Sequence, residues 1–565
     1  MGIKINLDTS FFSYYGSYLA FCNGPVYPMG ESEGLYLRSA HNQTRERMIL
    51  RVELWLDGQR VDFTETTAPE KMTLRAADGT LEAVYRDAER ILVGIENITL
   101  RLYAEKCNKF DVYNIAQGDN LMMLNNYAAR MKIMLHAEKG TLEFIYNGRN
   151  DGYYQLTPAG DGKALLLLTD VTSSYDGQGV SREIGWYAKR NRAEFDAWMS
   201  AMYPAPEKYA AARELAGYTN WASVINPSGR IKRPSILSSK RIMVNIWNWD
   251  SLINAIASMG LPKTAQDQFS LLFDYQDQYG ANPDYINETE VIWNFCKPPF
   301  HGWALRKMMQ LGKVDDGFIA EMYPKLSKLT DWWMKYRDCD GDGAPEYHHG
   351  NDSGCDNSTM FDDGPLVEGP DLCALLAIQA EVLAGLAVRL GKPAGEVEKW
   401  EALKQKQLSI LINELWDGEV FFGRHAITHK RVYCRSLIPN TAVIAGYMFP
   451  KDIQNKAAAI FENENEFVTQ YGIATENVNS EKYKTEGYGY WRGPTWAPTN
   501  LAVIDGLYNM GREDLSQKIA RRFCDTVAAG CMAENFDPLT GAPLHDKSYT
   551  WTASVFMILT GGYLG

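Results

Sequence analysis

The sequence is poor in the features that mark several common kinds of protein. Its 57 Lys and Arg stand against 70 Asp and Glu, a formal net charge of -13, so it lacks the basic face that holds nucleic acid or an anionic membrane. Nine cysteines, an odd number with no CxxC spacing, argue against a disulfide framework and a zinc site and read mostly as small buried hydrophobes. Only 8 histidines stand among 565 residues, a poor supply for His-based proton chemistry. No uninterrupted apolar run reaches the roughly 18 residues of a membrane span. The opening "MGIKINLDTSFFSYYGSYLAFCNG" has no basic stretch followed by a long apolar one. A cytoplasmic protein with no nucleic-acid or membrane partner is expected.

Aromatic residues are plentiful, with 15 Trp and 32 Tyr in a chain that is 12% aromatic. Flat rings stacking on sugar faces are one use for them, and a large aromatic core is another. The acidic balance suits a neutral substrate. With 45% hydrophobic and 22% charged residues the chain is globular, and 565 residues exceed one ordinary core.

From about residue 30 to 175, stretches such as "RVELWLDGQRVDF" and "KMTLRAADGTLEAVYRD" alternate with period two and break at DG and NG turns. That pattern predicts an N-terminal antiparallel β-sandwich. Beyond a boundary near residue 200, spacings of three and four recur in about a dozen segments, among them "DLCALLAIQAEVLAGLAVRLG" and "LSQKIARRFCDTVAAG". The domains are therefore placed at 1–200 and 201–565. A dozen antiparallel helices suggest six hairpins closed into an α/α toroid. An open solenoid is the rival, although no fixed-period repeat is visible.

The unusual residues sit between the helices, where a site on a helical scaffold is expected. "NIWNWDS" at 245–251 brings Trp247, Trp249 and Asp250, the last of which reads by itself as a helix N-cap. "HHGNDSGCDNSTMFDDG" at 348–364 gathers Asp352, Asp356, Asp362 and Asp363. "EGYGYWRGPTWAPTN" at 486–500 carries Trp491, Arg492 and Trp496, and "ENFDPLTGAPLHDKSYTWTAS" at 534–554 runs from Glu534 to Trp551.

The order of these motifs, WDS, then SGCDNS, then YWRGPTW, then the late Glu534 and Trp551, resembles the glycoside hydrolases of family 63. It is more distantly similar to the inverting trehalases of family 37. The likeness covers about residues 240–560. It implies an N-terminal β-domain, an (α/α)6 barrel catalytic domain, and hydrolysis of an α-glycoside with inversion. By motif position Asp356 is implied as general acid and Glu534 as general base, with Glu486 a rival base. Inversion needs room for water between two carboxyls, roughly 6.5 to 9.5 Å. The acid must also have a raised pKa, for which Asp352, Asp362 and Asp363 offer a negative neighbourhood.

Trp247, Trp249, Trp491, Trp496 and Trp551 are expected to wall a sugar pocket. Arg492 is expected to fork onto hydroxyls or pair a catalytic carboxylate. Asp250 is implied to bind sugar hydroxyls at the bond-breaking subsite. The chain departs from the family in carrying Asp352 where many members have glutamate.

"RDCDGDGAPEYHHG" at 337–350 resembles a truncated calcium loop, with Asp338, Asp340, Asp342 and Glu346 as candidate ligands of a structural calcium ion. No cofactor is expected for the chemistry itself.

The expected partner is a small carbohydrate, with an inverting α-glucosidase acting on a small oligosaccharide or glucoside as the leading reading. Mannosylglycerate or glucosylglycerate hydrolysis stays open. Trehalase is disfavoured because "AAGCMAEN" replaces a glycine-rich run before the late glutamate. A carbohydrate-binding protein without catalysis would keep the tryptophans but need not keep both carboxyls.

Overall fold

The computed structural model describes residues 2–565 apart from 25–32, 42–47, 105–111, 128, 149–150, 313 and 486–488. Among the described residues fifteen strands lie between Leu19 and Val171, arranged in one seven-stranded and one eight-stranded antiparallel sheet. Period-two burial sets their inner faces. In Thr99–Ala104 the residues Leu100, Leu102 and Ala104 turn inward while their neighbours are half exposed. Val52, Leu100 and Leu102 of one sheet meet Met72, Leu81, Val93 and Leu168 of the other in a shared core. The run "LLLL" in strand Lys163–Val171 breaks the alternation because both faces are covered. Leu167 packs outward with Val84 and Leu92 under Tyr187 and Ala188 of helix Ile184–Ala201.

The remainder is mainly helical. Asn248–Ala257, His301–Leu311, Pro370–Arg389, the 3-10 helix Ile438–Met448, Ala497–Asn509 and Thr550–Gly562 touch in that order, and the last touches the first. The ring is closed, which sets aside the open solenoid. Outer helices lie against members of this ring, such as Ala394–Asn413 on Pro370–Arg389 and Glu513–Ala529 on Ala497–Asn509. The outer helices keep one apolar stripe, as with Leu515, Ile519, Phe523 and Val527 at intervals of four. The ring helices are buried over most of their length. Every residue of Asn248–Ala257 is buried, and Pro370–Arg389 has the length and hydropathy of a membrane span yet lies inside the protein.

The loops joining these helices are tied by short antiparallel ladders. Ile246–Trp247 pairs with Tyr285–Ile286, and Tyr285–Ile286 pairs with Val291–Ile292. Thr495–Trp496 pairs with Asn535–Phe536, which joins the third sequence motif to the fourth.

Candidate active site

The loop of Asp356 is built residue by residue from "SGCDNST". A short 3-10 turn, Gly350–Ser353, ends at Gly354 in the left-handed region, φ 77°. A Cβ there would lie 2.8 Å from the Trp249 ring, so glycine is required for the turn and for the ring beside it. Beyond Asp356 each polar residue is used. Asn357 Oδ1 accepts from the Trp491 N–H at 2.9 Å, its carbonyl accepts from Arg492 Nε at 2.7 Å, and Thr359 Oγ1 donates to Glu476 at 2.7 Å. Asp352 anchors the other side, accepting from the Cys296 N–H at 3.0 Å and from Arg337 at 2.7 Å. The Asp356 carboxyl, half-buried, is left facing a cavity of about 420 Å³.

Asp250 lines the same cavity. It sits in the first helical turn after Trp247, which occupies the N-cap position, so the N-cap reading of Asp250 is corrected. Ser238 donates to its Oδ1 at 2.9 Å, whereas buried Oδ2 has no hydrogen-bond partner among the described residues. Glu534 is one layer behind. Its N–H bonds the Asp546 carbonyl at 2.6 Å, Trp551 Nε1 donates to its carbonyl at 3.0 Å, and the Tyr490 hydroxyl donates to Oε1 at 3.1 Å. Tyr490 itself lines the cavity and has a φ of 39°, a strained value for a residue with a side chain.

Burial is the first cause that raises the pKa of each carboxyl in this group. It pushes Asp356 up to about 6 against the opposing charge of Lys297, and Asp250 up to about 7. Glu534 rises to about 8 through burial and the nearby Asp546 charge.

The tryptophans divide into two sets. Trp247, Trp249, Trp491 and Trp551 line the cavity. Trp496 does not: it is 0% exposed and stacks behind Trp491 with centroids 3.8 Å apart and planes 10° apart. Such a pair contributes about 0.5–1.5 kcal/mol beyond its buried area and stiffens the wall. Arg492 also departs from expectation. It touches neither the cavity nor a catalytic candidate, but bonds the Asn357 carbonyl and pairs with Asp362, clamping the Asp356 loop from outside.

The negative neighbourhood expected around Asp356 is likewise built from other residues. Asp352 is spent on Arg337, Asp362 on Arg492 and Lys482, and Asp363 on Lys430. Of the groups that act on Asp356, Asp284 supplies negative charge and Lys297 opposes it. Lys297 Nζ pairs with Asp284 Oδ1 at 2.7 Å and donates to the Asn351 carbonyl at 2.7 Å. Sequence reasoning passed over Asp284, Lys297, Tyr490 and Tyr549, which all line the cavity. Tyr490 lay inside a quoted motif. Asp284 and Lys297 stood in "ANPDYINETEVIWNFCK", a turn-rich, aromatic stretch between helices whose texture was the available signal. Glu486, the rival base, lies outside the described residues.

The acidic loop at 338–346 is also rearranged. Asp338 accepts from the N–H groups of Gly341 and Gly343, and buried Glu346 accepts from Cys339 N–H and faces His348. The group that converges is Asp340, Asp342, Glu368 and His429, with one ligand atom from each within 4.8 Å of the others. Arg424 pairs with Asp342 and Glu368 at its edge. Of the expected ligands, only Asp340 and Asp342 belong to this cluster; Asp338 and Glu346 do not.

A family model described as the mannosylglycerate hydrolase MGH1-like glycoside hydrolase domain matches residues 243–552. A mannosylglycerate hydrolase from Rubrobacter radiotolerans is 21% identical over 442 residues, 63% of this chain and 97% of that protein. A probable mannosyl-oligosaccharide glucosidase from Schizosaccharomyces pombe is 24% identical over 403 residues, 61% of this chain and 46% of that protein. In fold, the family 63 mannosylglycerate hydrolase from Thermus thermophilus matches 61% of this chain and 99% of its own, with 18% identity and a TM-score of 0.54. The family 92 glycosyl hydrolase CcMan5 matches 99% of this chain and 87% of its own, at 12% identity and a TM-score of 0.58, so its likeness extends over the N-terminal sheets. With the family model spanning more than half of the chain, the protein belongs to glycoside hydrolase family 63.

Proposed function

We propose that the closed helical ring is an (α/α)6 barrel catalytic domain, and that it hydrolyses an α-glycosidic, most fittingly α-glucosidic, bond with inversion. One observation carries this reading. Asp356 stands on the wall of a tryptophan-lined cavity, and Glu534 waits behind the Tyr490 hydroxyl that closes the same cavity. Asp356 as acid would protonate the departing oxygen. Glu534 as base would take a proton from water once the substrate draws Tyr490 aside. Asp250 offers its unpaired Oδ2 to a sugar hydroxyl. Proton NMR of the first product tests the stereochemistry: an α-glucoside should release the β-anomer first, and early α-anomer would sink the assignment.

The cavity's charge bears on the aglycone. Its described lining carries Asp250, Asp284 and Asp356 but one cation, Lys297, already held by Asp284 and the Asn351 carbonyl. A glycerate carboxylate would enter with no free cation among these residues to receive it. A neutral aglycone, such as a second sugar, fits. Mannosylglycerate hydrolysis is the second reading, favoured by the family model and by what the Rubrobacter relative is named for.

The pH dependence follows from the two carboxyls. Activity needs one proton between them. Below about 6 both are protonated and no base remains; above about 8 both are ionised and no acid remains. The expected kcat/KM profile is a bell centred near pH 7, and a rate that stays level across this range would count against the pair. Glu534 is the weaker acid in the empty site, so the proton rests mainly on it. The productive arrangement, with the proton on Asp356, is the minor form until substrate binds.

We also propose a structural calcium ion at Asp340, Asp342 and Glu368. Glu368 supports it with a buried Oε1 that has no hydrogen-bond partner among the described residues. Calcium is expected to raise Tm by several degrees over the EDTA-treated protein. An unchanged Tm would mean that Arg424 alone balances these carboxylates.

A further inference from the structure

The cavity is bounded on one side by the hairpin whose strands are Tyr285–Ile286 and Val291–Ile292. Asp284, Tyr285, Ile292 and Lys297 of this segment line the cavity. Glu288, in the hairpin's turn, points away from the cavity and toward the N-terminal sheets. Its Oε2 lies 2.6 Å from His41 Nδ1, and His41 Nε2 lies 2.7 Å from Asp170 Oδ2 on strand Lys163–Val171. The imidazole is 2% exposed and stacked on Tyr18, with centroids 4.4 Å apart and planes 2° apart. The Glu288 carbonyl accepts from Arg230 N–H at 2.7 Å, and a Cβ on Gly229 would come within 2.3 Å of that oxygen. The turn is thus packed against the segment of Gly229 and Arg230, and His41 ties it to the β-part.

Building on the proposed function, we propose that His41 is a positioning residue for the active site: through Glu288 it fixes the hairpin that carries Asp284, Tyr285 and Lys297 into the substrate cavity. The chemistry explains the residue type. A ring with two N–H groups on opposite edges can donate to one carboxylate on each side at once, which glutamine cannot do. Burial opposes the charged ring, but Asp170 and Glu288 outweigh it and lift its pKa to about 10. The bridge therefore keeps its proton through the working range of the site. Loss of the bridge leaves Asp170 and Glu288 as buried carboxylates without the His41 charge between them, and the hairpin turn loses its tie to the β-part.

The test uses the full chain with His41→Gln, Glu288→Gln and the double variant. Substrates are a neutral oligosaccharide that fills the aglycone side and an activated aryl glycoside that does not. Each single variant should raise KM for the oligosaccharide by about 10- to 100-fold, with kcat for the aryl glycoside within about 2-fold of wild type. The double variant should be no worse than either single one, since both break the same bridge. A lower Tm with unchanged KM on both substrates would overturn the proposal, because a purely structural tie lowers stability alone. Should His41→Gln fail to fold, Glu288→Gln carries the test by the same criterion, as its amide can keep the bond to Ser228. Asp284→Asn separates this proposal from the function reading. If Asp284→Asn raises KM and the His41 and Glu288 variants do not, only the positioning role falls. If none of the three changes KM, the cavity is not the substrate site.

Discussion

Replacing Asp356 by asparagine should lower kcat/KM on an ordinary α-glycoside by about 10²- to 10⁴-fold, the range in which a positioned general acid contributes. Asparagine keeps the shape and cannot donate a proton to the departing oxygen. The loop should survive, because it is held by Asn357, Thr359 and Asp352 and not by the Asp356 side chain. Thermal stability should be unchanged or slightly higher, since a carboxyl whose ionised form is disfavoured by burial has been removed. The diagnostic readout is leaving-group dependence. A glycosyl fluoride or dinitrophenyl glycoside needs no protonation and should recover most of the lost rate. Wild-type turnover in a folded Asp356→Asn protein would remove Asp356 from the mechanism.

Glu534→Gln should cost at least as much, and on every substrate. Water activation is needed whatever the leaving group, so activated glycosides should not rescue this variant. Azide, which needs no base, should restore turnover and yield the β-glycosyl azide. Glutamine can still accept from Tyr490 through one oxygen, so folding should be retained. The opposite pattern, with leaving-group rescue at Glu534→Gln and azide rescue at Asp356→Asn, would exchange the two roles. That outcome has a physical basis worth testing, because Glu534 is the carboxyl that holds its proton more tightly in the empty site.

The positions of the motif residues explain how much the chain disclosed. Glycines, serines and asparagines around Asp356 marked a tight, specific loop, and each proves to be used locally. The role of Arg492 is not legible locally because its partner, Asp362, lies far away in sequence and near in space. Trp496 follows Trp491 by five residues, yet their local ladder and helix start place one ring behind the other. Asp284 and Lys297 carry no motif, and their importance rests on a 2.7 Å ion pair formed inside the cavity.

Local patterning thus determined, from the sequence alone, that β-strands precede helices, because periods of two and of three to four reflect burial on one face of an element. The motif order likewise pointed to the family and to Asp356 and Glu534. Tertiary structure decided which tryptophans line the cavity and which acids the loop at 338–346 brings together. It also set how tightly each carboxyl holds its proton, and placed His41 at the hairpin turn. Those properties depend on burial and on charges brought close by distant segments, and neither quantity is a property of any local stretch of chain.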